Sequence, residues 1–165
     1  MFNKTGKNCF VYGIIAFLFL LCTSVSWATD VSGVISVDKW TAAGNPYTVT
    51  GDAIVEAGKT LTIDPSVVVK FNADAALIVS GKLIASGEKG NQIIFTSNQT
   101  PSSVGNWKGI AFNEYSNGLI QYCIIEYASD GISMYKDTSH QILGSPKQIV
   151  VKYLSDFSMS HYNNV

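Results

Sequence analysis

The sequence predicts an all-β protein. It reads as a parallel β-solenoid of roughly five coils, preceded by an apolar leader helix. Three observations carry this. Between residues 52 and 96 (DAIVEAGKTLTIDPSVVVKFNADAALIVSGKLIASGEKGNQIIFT), runs of three to five β-prone residues alternate with Gly, Asp-Pro, Asn or Ser-Gly corners. The unit returns every 22 to 24 residues: Ile54 matches Ile78, Leu61 matches Leu83, and Phe71 matches Phe95, 24 on. No stretch carries helical periodicity, and Val, Ile and Thr dominate, which excludes a helix-hairpin repeat. A fixed period of this length marks a stacked array. Three runs per period, at 53–55, 61–63 and 67–71 and again at 77–79, 83–85 and 93–95, describe a coil of triangular section.

Taken in order, residues 1–28 read as a secretory signal peptide. Lys4 and Lys7 form a basic start, residues 9–25 are apolar, and Ser26 and Ala28 place small residues before a cut at Thr29. The apolar stretch is short for a membrane anchor, and Leu21 is too large for a lipoprotein signal at Cys22. The predicted address is therefore secreted or cell-surface. Cleavage removes Cys9 and Cys22, leaving Cys123 alone with no internal disulfide. Its apolar run (YCII) makes it a small core residue.

Residues 29–46 are assigned as an N-terminal cap, with Trp40 as the plug of the open core end. Residues 47–135 are the coils. In 67–71 (VVVKF), alternation places Lys70 outside and so Val67, Val69 and Phe71 inside. By the same parity Leu61, Ile63, Ile93 and Phe95 face in, while Thr60, Thr62, Gln92 and Thr96 face out. Gly58, Gly81 and Gly87 sit where the chain must turn, and Asp64-Pro65 makes a corner without a ladder donor. Outward Thr48/Thr50 and Thr60/Thr62 lie half a coil apart, so they form no continuous threonine face.

Residues 97–106 (SNQTPSSVGN) are a polar loop leaving the coil. Asn98-Gln-Thr100 within it fits a glycosylation sequon. Loops on a rigid scaffold often carry binding residues, and Trp107 follows this one directly. In 119–127 both parities are apolar, which predicts a bend near Tyr122. Residues 136–165 lose the pattern and read as an irregular tail or incomplete last coil, with 148–153 (QIVVKY) as one further strand. A shortened member, a fragment of a longer product, or a tail that pairs with something else is expected.

The ordered set 46–51 (PYTVTG), 58–65 (GKTLTIDP), 68–71 (VVKF), 81–87 (GKLIASG), 93–97 (IIFTS), 107–112 (WKGIAF) and 122–127 (YCIIEY) resembles the secreted right-handed parallel β-helix proteins of the pectin-lyase-like superfamily. The resemblance spans roughly residues 40–134 and implies the right-handed β-helix. It leaves function open, because the scaffold hosts lyases, hydrolases and adhesins.

Lyases of this kind pair calcium on outward Asp clusters with a basic residue that takes the α-proton. All eleven basic residues here are lysines, and the outward acids (Glu56, Asp64, Asp74, Glu88, Glu114, Glu126, Asp130) stand singly. Lys70, Lys82 and Lys108 remain as candidate bases. The hydrolase chemistry needs paired carboxylates. His140 and His161 lie in the tail without such a pair, and Glu126 reads as a solvated strand residue. No catalytic residue, metal ligand or cofactor site is therefore assigned. A net charge of −1 and pI near 6.0 carry no nucleic-acid footprint.

The predicted function is an exported, non-catalytic scaffold or surface binding module. Its partner is a polysaccharide or cell-surface component, and Trp107, Tyr115, Tyr122 and Tyr127 are the candidate stacking residues, with Tyr135 beside them. The alternative is a polysaccharide lyase or glycoside hydrolase, of which this is a truncated N-terminal part.

Overall fold

A computed structural model describes residues 28–134 and the strand at 149–152. All but the last residue of the expected signal peptide lies outside the described residues. So do Tyr135, His140, His161 and most of the tail.

The strands in chain order are β1 (Thr29–Val34), β2 (Lys39–Trp40), β3 (Tyr47–Val55), β4 (Thr60–Ile63), β5 (Val68–Phe71), β6 (Ala76–Val79), β7 (Lys82–Ser86), β8 (Ile93–Ser97), β9 (Gly109–Phe112), β10 (Asn117–Gln121), β11 (Cys123–Glu126), β12 (Ile132–Met134) and β13 (Ile149–Lys152). Every strand pairing among them is parallel. They form three columns, one per side of the coil. The first stacks β1, the start of β3, β5, β8, β11 and β13. The second stacks the end of β1, the end of β3, β6, β9 and β12. The third stacks β2, β4, β7 and β10. The first two columns join into one sheet because β3 runs round the corner, pairing Tyr47–Val49 with β5 and Ala53–Val55 with β6. The chain is thus an all-β parallel β-helix.

Alternation sets the core. Leu61, Ile63, Val67, Val69, Phe71, Ile93 and Phe95 are all buried, and Lys70 and Thr96 between them are partly exposed. Burying a Val, Leu, Ile or Phe side chain contributes about 1.5–3 kcal/mol. A coil has a second apolar edge that only the next coil can cover, so the stack is held by its repetition.

Two expected alignments hold in register, Ile54 with Ile78 and Leu61 with Leu83. The third does not. Phe95 pairs with Val69, and Phe71 pairs with Ser97. The slip is two residues, which leaves the inward parity unchanged and is therefore invisible to the hydrophobic pattern.

The stretch 29–46 carries β1 and β2, which pair with β3 and β4 as a thin outer layer. Trp40 is fully buried within it and stacks on Tyr47, with ring centres 4.9 Å apart. The Tyr47 hydroxyl accepts from Thr41 N (2.9 Å) and donates to Thr41 O (3.2 Å). The Trp40 Nε1 has no hydrogen-bond partner among the described residues.

The bend expected near Tyr122 is present: Tyr122 has φ +50 and separates β10 from β11. Of the three glycines expected at turns, Gly58 has a left-handed φ of +77. Gly81 and Gly87 are needed for close approach instead, because a Cβ on either would overlap backbone carbonyl oxygens of a neighbouring coil.

Candidate functional site

The three corners of the coil are not built alike. Between the second and third columns, β3 reaches β4 through residues 56–59 and β9 reaches β10 through residues 113–116. The coil between them makes the same corner through Ser80 and Gly81 alone. The short corner is recessed and the two longer turns stand proud on either side. The result is an open notch of about 640 Å³, a volume in the usual range for small-ligand clefts.

The sequence fixes this shape locally. Ser80 N and Gly81 N both donate to Val55 O, at 2.8 and 3.1 Å, drawing the floor against the coil before it. Lys82 N donates to Lys59 O (2.8 Å) and Asn117 N to Gly81 O (3.0 Å), tying both walls to that floor. Any side chain at Gly81 would strike the carbonyl oxygens of Glu56 and Lys59. In the far wall, the Ser116 hydroxyl donates to Asn113 O (2.5 Å) and closes the turn. Asn113 Nδ2 donates to Ser80 Oγ (3.0 Å), joining this wall to the floor.

The chemistry offered is polar with one aromatic plate. Lys59 stands on one wall, Asn113, Glu114 and Tyr115 on the other, and Ser80 and Lys82 belong to the coil that forms the floor. Tyr115 is 76% exposed and sits at φ +62, a backbone region that costs a non-glycine residue of order 1 kcal/mol. Lys59 and Lys82 are exposed and pair with no described carboxylate, whereas Lys39 meets Asp64 at 3.0 Å and Lys108 meets Asp52 at 3.4 Å.

Of the four candidate stacking residues, Trp107 and Tyr127 lie side by side in adjacent coils at one corner, with Trp107 bridged to Ala128 and Asn106 N donating to Tyr127 O (3.0 Å), but the three tyrosines do not come together. Tyr115 lies at the corner between the second and third columns, Tyr122 between the third and first, and Tyr127 after β11 between the first and second. A cluster in sequence becomes one tyrosine per corner, because the coil has three corners and the residues are spaced like them. Tyr122 and Tyr127 are half-buried, with φ +50 and +64.

Trp107 corrects the surface expectation. It is fully buried, its ring stacked on Phe71 with centres 3.9 Å apart and 7° between planes. Its Nε1 donates to Glu126 O (2.9 Å). The loop preceding it is pinned by Asn106, whose Oδ1 accepts from Ser97 Oγ (3.0 Å) and Ser103 N (2.6 Å). That loop joins β8 to β9 at a corner other than the notch.

Among the other residues considered, Glu126 accepts from Thr96 Oγ1 (2.8 Å) on the outer surface. Cys123 is buried, and desolvation pushes its thiol up to about 12, against the lowering effect of backbone hydrogen bonds at Gln121 and Gly87. No group of three His, Cys, Asp or Glu residues with metal-binding geometry occurs among the described residues.

Reading the sequence missed Lys59, the Ser80-Gly81 floor and the pairing of the two long turns. The signal was there in the unequal lengths of corners between aligned strands.

The family model for a pectate-lyase-like β-helix domain matches residues 33–117, just over half the chain. With three columns of parallel strands over the same residues, the chain belongs to that family. No curated protein and no solved structure matches it.

Proposed function

We propose that this chain is an exported β-helix module that acts without catalysis and holds a glycan at the corner notch. The observation that carries the reading is Tyr115. It is a large ring kept exposed at a left-handed corner, beside the amides, hydroxyl and ammonium groups that line an open notch. An exposed ring flanked by hydrogen-bonding groups matches the two faces of a sugar, one apolar and one hydroxylated. Export rests on the reading of residues 1–28, and a place at the cell exterior follows from it.

One observation favours a second reading, cleavage of an acidic polysaccharide. Of the three lysines considered as α-proton bases, Lys82 lines the notch.

A glycan-binding screen run beside an assay for unsaturated uronate release separates the two. Binding lost in Tyr115→Ala, without turnover, supports the module. Turnover abolished by Lys82→Gln replaces it with the lyase. A well-folded protein that neither binds nor cleaves refutes both.

A further inference from the structure

We propose that the N-terminal end of the stack is a self-association surface, where a second copy of this chain docks head to head through the open edge of β1.

All three columns end here on a strand with one neighbour among the described residues. β1 closes the first and second columns and pairs with β3, and β2 closes the third and pairs with β4. Thr29 N donates to Pro46 O (3.0 Å) and Ile35 N to Ile54 O (2.9 Å), so the odd-numbered residues turn their backbone groups towards β3. The register shift beside Ser32 keeps this parity, because Val31 pairs with Val49 and Gly33 with Ala53. Alternation therefore turns the N–H and C=O of Asp30, Ser32 and Val34 to the open edge. β1 carries no lysine or proline to blunt that edge, and Asp30 is its one charge.

The apolar rows of the core are cut off at the same place. Val31 continues the row of Val49 and Phe71, and Ile35 that of Val55, Val79 and Phe112. The inner members are at most 2% exposed, whereas Val31 and Ile35 are half-buried and Val34 beside them is 53% exposed. A further coil would cover them as each coil covers the one before it.

A partner must offer strand edges on three sides at once, and the same end of a second copy does so. A two-fold axis through Gly33, at the corner of the first and second columns, lays the first column of one copy on the second column of the other, and third on third. The strands then run antiparallel. Ser32 exchanges backbone hydrogen bonds with the partner's Val34, and Val31 covers the partner's Ile35 on the inward side. Gly33 meets its own equivalent, where antiparallel Cα atoms come within about 4.5 Å and a glycine has no side chain to obstruct them. Asp30 comes opposite the partner's Ser36, so no like charges face each other across this edge. Such a contact uses the same patch on both copies and closes as a dimer.

The test uses the exported protein, its N-terminus read by mass spectrometry. Analytical ultracentrifugation over a concentration series should show monomer passing to dimer and nothing larger. Hydrogen exchange read by NMR should show the amides of Asp30, Ser32 and Val34 fast in dilute samples and slow in concentrated ones. Ser32→Pro removes an edge donor and leaves the ladder to β3 intact, and Val34→Lys puts a charge on the edge. Both side chains are exposed, so each variant keeps its melting temperature and weakens the dimer on the order of tenfold. Val104→Lys, at an exposed valine of the 97–106 loop, leaves it unchanged. A monomer at every concentration, or a dimer indifferent to both edge variants, overturns the proposal. Growth beyond the dimer, with protection also appearing at β10 and β12, assigns a head-to-tail stack instead and overturns it. Slow exchange of the three amides at every concentration shows that another part of the chain covers the edge, and overturns it too.

Discussion

Replacing Trp107 separates a core role from a ligand role. The side chain is fully buried, and its ring lies 3.9 Å from that of Phe71. Truncating a buried tryptophan to alanine costs about 3–5 kcal/mol through lost transfer energy and the cavity left behind. Trp107→Ala also removes an aromatic stack worth about 1 kcal/mol and leaves the Glu126 carbonyl without its donor. The structure therefore predicts a loss near the upper end of that range, a third or more of the stability of a typical domain, which is about 5–15 kcal/mol.

The sharper comparison is with phenylalanine. Trp107→Phe keeps most of the stack and loses the Nε1 hydrogen bond of 2.9 Å, which costs about 1–2 kcal/mol with the acceptor left unpaired. Trp40→Phe makes the same chemical change at an equally buried site whose Nε1 has no partner among the described residues. It escapes that hydrogen-bond cost. Urea denaturation of both variants, followed by circular dichroism, should show Trp107→Phe less stable than Trp40→Phe by about 1 kcal/mol. Equal losses would refute the hydrogen-bond argument. A Trp107→Ala variant with unchanged stability and lost glycan binding would refute the core placement itself.

Other outcomes follow from the same geometry. Val69→Asp puts an unpaired charge into a site with no exposure and should abolish folding, whereas Lys70→Asp should fold; equal behaviour in circular dichroism would overturn the assigned facing. Gly81→Ala should destabilise by about 2 kcal/mol or more, since its Cβ meets backbone that cannot swing away, and the loss should appear as a lower melting temperature. The native Cys123 thiol should resist a thiol reagent at pH 8 and react once urea unfolds the chain. Its pKa is pushed from 9.0 to about 12 in the folded state, so the folded state holds the proton longer than the unfolded one does. This group's contribution is neutral below pH 9 and turns against folding as pH rises from 9 towards 12; a denaturation series over that window, with Cys123→Ala as control, should show the wild type losing more.

Much of the fold was legible because period-two alternation is a local signal. Lys70 between Val69 and Phe71 is enough to assign a face, and both hydrophobic neighbours are buried. The register of Phe71 was not legible, because a slip of two residues moves no side chain to the other face. Of the residues that line the notch, the sequence singled out Tyr115 as a candidate stacking residue and Lys82 as a candidate base. Trp107 misled because the residue after a polar loop reads as surface, and nothing local reveals that Phe71, one coil away, waits to stack on it. Tyr122 and Tyr127 misled for a different reason: nearness along the chain means little where each corner turns the next strand to another side. The notch itself is a difference between coils, so it emerges only after the strands of separate coils are aligned.

The hydrogen bonds between coils have a mechanical consequence. They lie along the axis of the stack, and the strands they join lie across it. A pull applied to the two ends of the stack loads these bonds one coil at a time, so the structure unspools rung by rung at low force and lengthens greatly before it is fully extended. A pull across the stack meets many bonds together in shear. A tether built this way yields along its length and holds across its width.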